Sequence, residues 1–239
     1  MINFEEPLMA HAVAQLREQR LALSQRPFRA RGAALRRCSR CRVALQYCIC
    51  RWQPQVATNS AFCLLMHDGE LLKPSNTGWL IADVVAQTSA FVWSRTAAPE
   101  GLLQLLADPR WQPYVVFPHA YAGPQQQLLH QPQSAAGKTP LFILLDGTWQ
   151  QARKMFRKSE YLQQLPVLGL APEQLSGYHL RHSANREHLA TAEVAALCLQ
   201  LAGEQAAGAA LQDWFARFNR HYLAARTPPD KAQEKLCLE

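Results

Sequence analysis

Apolar residues along this chain fall into short unbroken runs that alternate with helix-period patterns, as in an α/β protein whose strands are covered on both faces. The clearest junction spans residues 141–156. Residues 141–145 form a continuous apolar run, Asp146, Gly147 and Thr148 make a polar turn, and Trp149, Ala152, Met155 and Phe156 then recur at helical spacing. Thr148 and Gln151 have capping-box spacing, so Thr148 starts the helix and leaves Asp146 just outside it. That is the carboxyl end of a strand, where open α/β sheets bind their ligands. Arg153, Lys154, Arg157 and Lys158 fall on the other helix face, as like charges one turn apart. Each such pair costs about 0.2–0.5 kcal/mol unless a polyanion lies across it, so the face reads as an anion surface or as an ordinary solvated one.

The same patterning predicts helices over 8–23, 79–86, 102–106, 191–201 and 209–225, and strands over 61–66, 90–95, 114–117, 166–170 and 178–180. Leu211, Trp214, Phe215, Phe218 and Tyr222 share one face of the last helix and read as core. The 61–66 strand also ends in polar residues: His67, Asp68 and Glu70, then Asn76, Thr77 and Gly78 before a helix. This loop either presents backbone N–H groups to a ligand or is a plain helix cap. Residues 120–138, with five Gln among Gly and Pro, read as a surface loop that could act as a lid.

Charge adds a second region. The net charge of +7 is not spread evenly: residues 1–60 hold ten Arg against three Glu, whereas the remainder is balanced. An all-Arg basic segment suits bidentate phosphate contacts and makes nucleic acid the leading partner. A membrane is disfavoured, because Glu5 and Glu6 stand where a signal peptide is basic and no apolar run approaches the roughly 20 residues of a span. A cytoplasmic protein follows, and its seven Cys are metal ligands and buried thiols before they are disulfides. Cys38, Cys41, Cys48 and Cys50 lie within thirteen residues and can converge on a tetrahedral Zn2+ with no open position, a structural site. Unligated thiols are the alternative; iron–sulfur ligation fits so tight a loop less well. Cys63, Cys198 and Cys237 look unrelated to it.

Taken together these residues resemble the DTW-domain family of tRNA-uridine aminocarboxypropyltransferases. The resemblance is carried by the Cys cluster; by His67, Glu70 and Asn76-Thr77-Gly78; by Phe117-Pro118; and by residues 145–149 with 151–155. It continues through residues 178–181, His188-Leu189 and Thr191-Ala192-Glu193. Asp68 stands where that family usually has Pro, and Ala190 where it has a small thiol or hydroxyl.

The resemblance implies a SPOUT-related, mainly parallel sheet flanked by helices, knotted, in residues 56–226. A small zinc-binding module in 1–55 would precede it and a disordered tail, 227–239, would follow. It also implies transfer of the 3-amino-3-carboxypropyl group of S-adenosylmethionine to uridine N3 in the tRNA variable loop. Asp146, Thr148 and Trp149 would be catalytic, with Asp146 accepting the imide proton and His67 or Glu70 as its substitutes. Asn76, Thr77, Gly78, Phe117, Pro118, Asp146 and His188 would bind the cofactor. Arg36, Arg37, Arg40, Arg153, Lys154, Arg157, Lys158 and Arg181 would bind RNA. A tRNA methyltransferase and a non-catalytic zinc-containing RNA-binding protein are the rival readings. The oligomeric state stays open, with a monomer favoured.

Overall fold

The computed structural model describes residues 11–24, 35–133, 137–170 and 189–226. Six strands form one parallel sheet: β1 (Ala61–Met66), β2 (Thr88–Val92), β3 (Trp111–Val116), β4 (Leu128–Leu129), β5 (Thr139–Asp146) and β6 (Val167–Leu168). Their order, β2-β1-β5-β3-β6-β4, inserts the late strand β5 between two early ones. Around the sheet lie α1 (Ala12–Ala22), α2 (Asp68–Leu71), α3 (Gly78–Val84), α4 (Glu100–Ala107), α5 (Trp149–Lys158), α6 (Thr191–Leu201) and α7 (Gln205–Ala224). The expected α/β architecture with a mainly parallel sheet is therefore present.

Strand alternation sorts the core into two layers. Phe62, Leu64, Met66, Phe142 and Leu144 pack with α1, α3, α6 and α7, whereas Cys63, Leu65, Leu141 and Ile143 pack with Leu102 of α4 and Met155 and Phe156 of α5. All of β1 and the central residues 141–144 of β5 are buried, which is why both appear in the sequence as unbroken apolar runs. Cys63 and Cys198 are buried thiols, and Leu211, Trp214 and Phe218 are core, as their patterns predict. In register, Met66 of β1 lies opposite both Asp146 of β5 and Val92 of β2, so three strands end level on one rim.

Two elements differ from expectation. Residues 120–138 are not simply a surface loop: Leu128 and Leu129 form the edge strand β4 beside β6, and the buried Gln126 donates its Nε2 to the carbonyls of Leu162 and Leu165, both at 3.0 Å. A two-residue strand is too short to leave a period, and a Gln that satisfies buried carbonyls looks like surface polarity in sequence. The loop after β1 contains the single-turn α2, started by the His67 ring accepting from Gly69 N. Asp68 there forms a paired contact with the guanidinium of Arg20, tying α1 to the β1 rim. The strand expected at 178–180 and the tail 227–239 lie outside the described residues.

Candidate active site and cysteine centre

The β5–α5 turn folds as its sequence dictates. Thr148 Oγ1 accepts from Gln151 N at 3.4 Å while Gln151 Oε1 accepts from Thr148 N at 2.7 Å, a reciprocal cap that fixes the first turn of α5. Asp146, two residues earlier, points inward and is only 4% exposed. Both of its oxygens are engaged: Thr191 Oγ1 donates to Oδ1 at 2.6 Å, and Asn76 Nδ2 donates to Oδ2. Asn76 Oδ1 in turn accepts from Trp79 N, so one buried amide connects the carboxylate to α3. Gly78 sits so close that a Cβ there would lie 3.2 Å from Asp146 Oδ2. Burial pushes the Asp146 carboxyl above its usual value, against the two hydrogen bonds, which favour the ionised form.

Beside this network opens a cleft of about 420 Å³. Val116, Phe117 and Pro118 form one wall; Leu144, Leu145, Gly147, Thr148, Trp149 and Ala152 a second; Leu170, Leu189, Thr191 and Val194 a third. Of the residues singled out from sequence, Thr148, Trp149, Phe117 and Pro118 therefore meet in one cleft. Asp146 and Asn76 stand behind Thr191, and Thr77 and Gly78 begin α3, with Thr77 Oγ1 accepting from Ala192 N at 3.4 Å; none of the four lines the cleft wall. His67 donates its backbone N–H to the Asp146 carbonyl and stacks its ring against Trp93, and Glu70 pairs with Lys73 at 2.6 Å. Arg181 and His188 lie outside the described residues.

Trp149 serves packing and the cleft together. Its ring lies parallel to Phe117 at 5.4 Å, and Phe117 lies parallel to Phe156 at 4.6 Å, so three rings run from the core to the cleft. Next to this stack, Gln150, Arg153, Lys154, Arg157 and Lys158 line a shallow groove of about 180 Å³. Arg153 lies over the Tyr121 ring, which meets Trp149 edge-on, so the basic face of α5 adjoins the aromatic wall.

The four cysteines converge. Cys38 and Cys50 sulfurs are 3.5 Å apart, Cys41 and Cys48 sulfurs 3.8 Å, and all four lie within 4.8 Å of one another. Tetrahedral zinc–thiolate bonds of about 2.3 Å would set sulfurs roughly 3.8 Å apart, so the donor set fits such an ion. Backbone bonds from Cys38 N to Val43 O and from Arg42 N to Cys38 O shape the first half of the loop. Arg36 is exposed, Arg37 donates to the Arg42 carbonyl and lies over Tyr222, and Arg40 donates to Gln53 Oε1.

Two residues of this region were not picked out by sequence patterning. Arg42 has a left-handed φ of 61° and is buried; its guanidinium donates to the carbonyls of Lys73 and Asn76 and stacks 4.3 Å above Trp79. Burial pushes it down to about 9, with Asp83 and Asp146 opposing the shift. Its place between metal-ligand candidates made it look like one more surface arginine. Thr191 read as a helix start and as one residue of the resemblance, with no role of its own, because no sequence period reports that a hydroxyl faces a carboxylate forty-five positions away.

The DTW domain model matches residues 35–223. The tRNA-uridine aminocarboxypropyltransferase 2 of Drosophila melanogaster is 26% identical over 170 residues, covering 68% of this chain and 65% of that protein. The chain thus matches about two thirds of its relative's length. No solved structure matches the chain.

Proposed function

The chain belongs to the DTW-domain family, and from that premise we propose that it is a tRNA-uridine aminocarboxypropyltransferase acting on uridine N3 in the variable loop. The observation that carries the reading is the cleft at the carboxyl end of β5, where Thr148 and Trp149 of the family's namesake motif meet Phe117 and Pro118. Its size and its mostly apolar, partly aromatic walls suit a nucleoside-bearing co-substrate. S-adenosylmethionine, when bound, supplies a sulfonium with three attached carbons open to a nucleophile. Phe117, Pro118, Trp149 and the α6 wall would hold it so that only the aminocarboxypropyl carbon lies in line with the incoming nitrogen, which is selection by orientation. Asn76, Thr77 and Gly78 would brace that pocket from behind. Asp146 would take the imide proton, and its raised affinity for protons brings it nearer the operating pH.

In the same reading Zn2+ at Cys38, Cys41, Cys48 and Cys50 is structural and holds the N-terminal module of residues 1–55 against the catalytic body of 56–226. Phosphates of tRNA would lie on Arg36, Arg37 and Arg40 and on the basic face of α5; Arg181 and His188 are carried by the sequence match alone. The insertion of β5 between β1 and β3 supports a relation to the knotted SPOUT enzymes. Among the described residues no helix is long and apolar enough to cross a membrane, and a cytoplasmic enzyme is the setting proposed.

The test is incubation with unmodified tRNA and S-adenosylmethionine, then digestion and mass analysis of the nucleosides. A uridine heavier by an aminocarboxypropyl group, with methylthioadenosine released, is expected. A methylated nucleoside with S-adenosylhomocysteine, or no modified nucleoside, would overturn the reading.

A further inference from the structure

Asp146 is the carboxylate nearest the cleft by sequence, yet it cannot touch a substrate there. It is 4% exposed, both oxygens accept hydrogen bonds from the protein, and it does not line the wall. Trp149 apart, the polar side chains on the cleft wall among the described residues are Thr148 and Thr191. They are not equivalent. Thr148 Oγ1 is the cap of α5 and accepts from Gln151 N. Thr191 Oγ1 commits its own proton to Asp146 Oδ1, so the hydroxyl oxygen is left as an acceptor, and a buried carboxylate strengthens it.

We propose that Thr191 is a catalytic residue of the transfer reaction, the hydroxyl through which the uridine imide proton passes to Asp146. The inference rests on the aminocarboxypropyltransferase reading. Uridine N3 loses its proton to Thr191 Oγ1 as Thr191 gives its original proton to Asp146 Oδ1. The N3 electron pair forms the bond to the aminocarboxypropyl carbon, the carbon–sulfur bond breaks, and its electrons neutralise the sulfonium to give methylthioadenosine. Asp146 ends the step protonated and returns the proton to water after product leaves. Asn76 keeps its hydrogen bond to Oδ2 throughout, which holds Oδ1 toward Thr191.

The arrangement also explains why the acceptor is indirect. A carboxylate open to the cleft would attract the positively charged sulfonium itself, whereas a hydroxyl presents an oxygen without net charge where N3 must arrive. Ala190, the residue before it, donates its N–H to the Glu193 carboxylate at 2.8 Å, which fixes the first turn of α6 and with it the Thr191 hydroxyl.

The test is a double-mutant cycle on transfer with tRNA and S-adenosylmethionine, with the single-turnover rate at saturation giving the chemical step and steady-state assays giving KM. Thr191→Val keeps the size and branching of the side chain but removes the hydroxyl, and with it both the relay and the hydrogen bond to Asp146 Oδ1, so a thermal melt is run beside each rate. The variant should lower the rate about 10²-fold or more with KM for both substrates within about threefold. Thr191→Ser should restore most of the rate. Asp146→Asn should lose a similar amount, and the double variant no more than the larger single loss, because both changes break one path. A Thr191→Val protein within about threefold of the wild-type rate, a loss confined to KM, failure of Thr191→Ser to recover, or full additivity with Asp146→Asn would each overturn the relay. Those four outcomes leave a wild-type enzyme that modifies tRNA; a wild type that makes no modified nucleoside overturns the relay together with the reading beneath it.

Discussion

Asp146 is a buried carboxyl held between Thr191 and Asn76, with the start of α3 closed against it, and the Arg42 charge favours its ionised form against burial. Asp146→Asn keeps the volume but gives up one acceptor oxygen and the charge, so its two effects on stability oppose each other. The catalytic effect has no such cancellation. Transfer in single-turnover assays is expected to fall about 10²–10⁴-fold while circular dichroism and zinc content match the wild type; a variant with near-normal turnover would reassign proton acceptance to His67 or Glu70. Arg42 is the second decisive residue. Its guanidinium satisfies two carbonyls of the loop that positions Asn76, a fork that an ammonium cannot reproduce. Arg42→Met is expected to cost about 1–3 kcal/mol in chemical denaturation through the Asn76 carbonyl, which loses its guanidinium donor, whereas the Lys73 carbonyl keeps the Asn76 N–H; Arg42→Lys should recover only part. Equal denaturation midpoints for wild type and Arg42→Met would show that the guanidinium contributes nothing.

At the scale of elements, the Cys loop is fastened to the body rather than merely attached to it. Cys41, Val43 and Ile49 belong to the same core cluster as β1, α3 and α7, and His221 of α7 contacts the Tyr47 carbonyl at 3.0 Å. Metal analysis should find one Zn2+ per chain in the wild type and none in Cys41→Ser, whose thermal transition should be lower and insensitive to chelator. Zinc-free wild-type protein that is fully stable and active would contradict this. The same packing shows where sequence patterning succeeds. β1, β5 and the start of α5 were legible because two-sided burial makes continuous apolar runs and because a capping box is a local code. Strand β2 is an edge with every residue half-buried, so its apolar signal was displaced by two residues toward 90–95. β4 was missed because pairing with β6, not its own composition, makes it a strand. The cleft residues Thr148, Trp149 and Phe117 lie at strand ends and could be read from position, but the Thr191–Asp146 and Arg42–Asn76 hydrogen bonds join distant segments and leave no period to read.

Across the whole molecule, two groups of positive charge bear on an RNA partner: the arginine-rich segment before β1 and the α5 face beside the cleft. Arg36 is exposed, while Arg37 and Arg40 are partly occupied by protein partners. Replacing Arg36, Arg37 and Arg40 by Gln should weaken tRNA binding and reduce the salt slope by about one for every phosphate that is no longer neutralised, with little change in the rate at saturating tRNA. An unchanged slope would leave the α5 face as the sole docking surface.

The central claim is that the β5 cleft moves the aminocarboxypropyl group and not the methyl group to tRNA. It is tested most directly by one single-turnover reaction with S-adenosylmethionine labelled separately in its carboxyl and methyl carbons. The account predicts the carboxyl label in tRNA and the methyl label in the released thioether; methyl label in tRNA, or no label in tRNA at all, would contradict it.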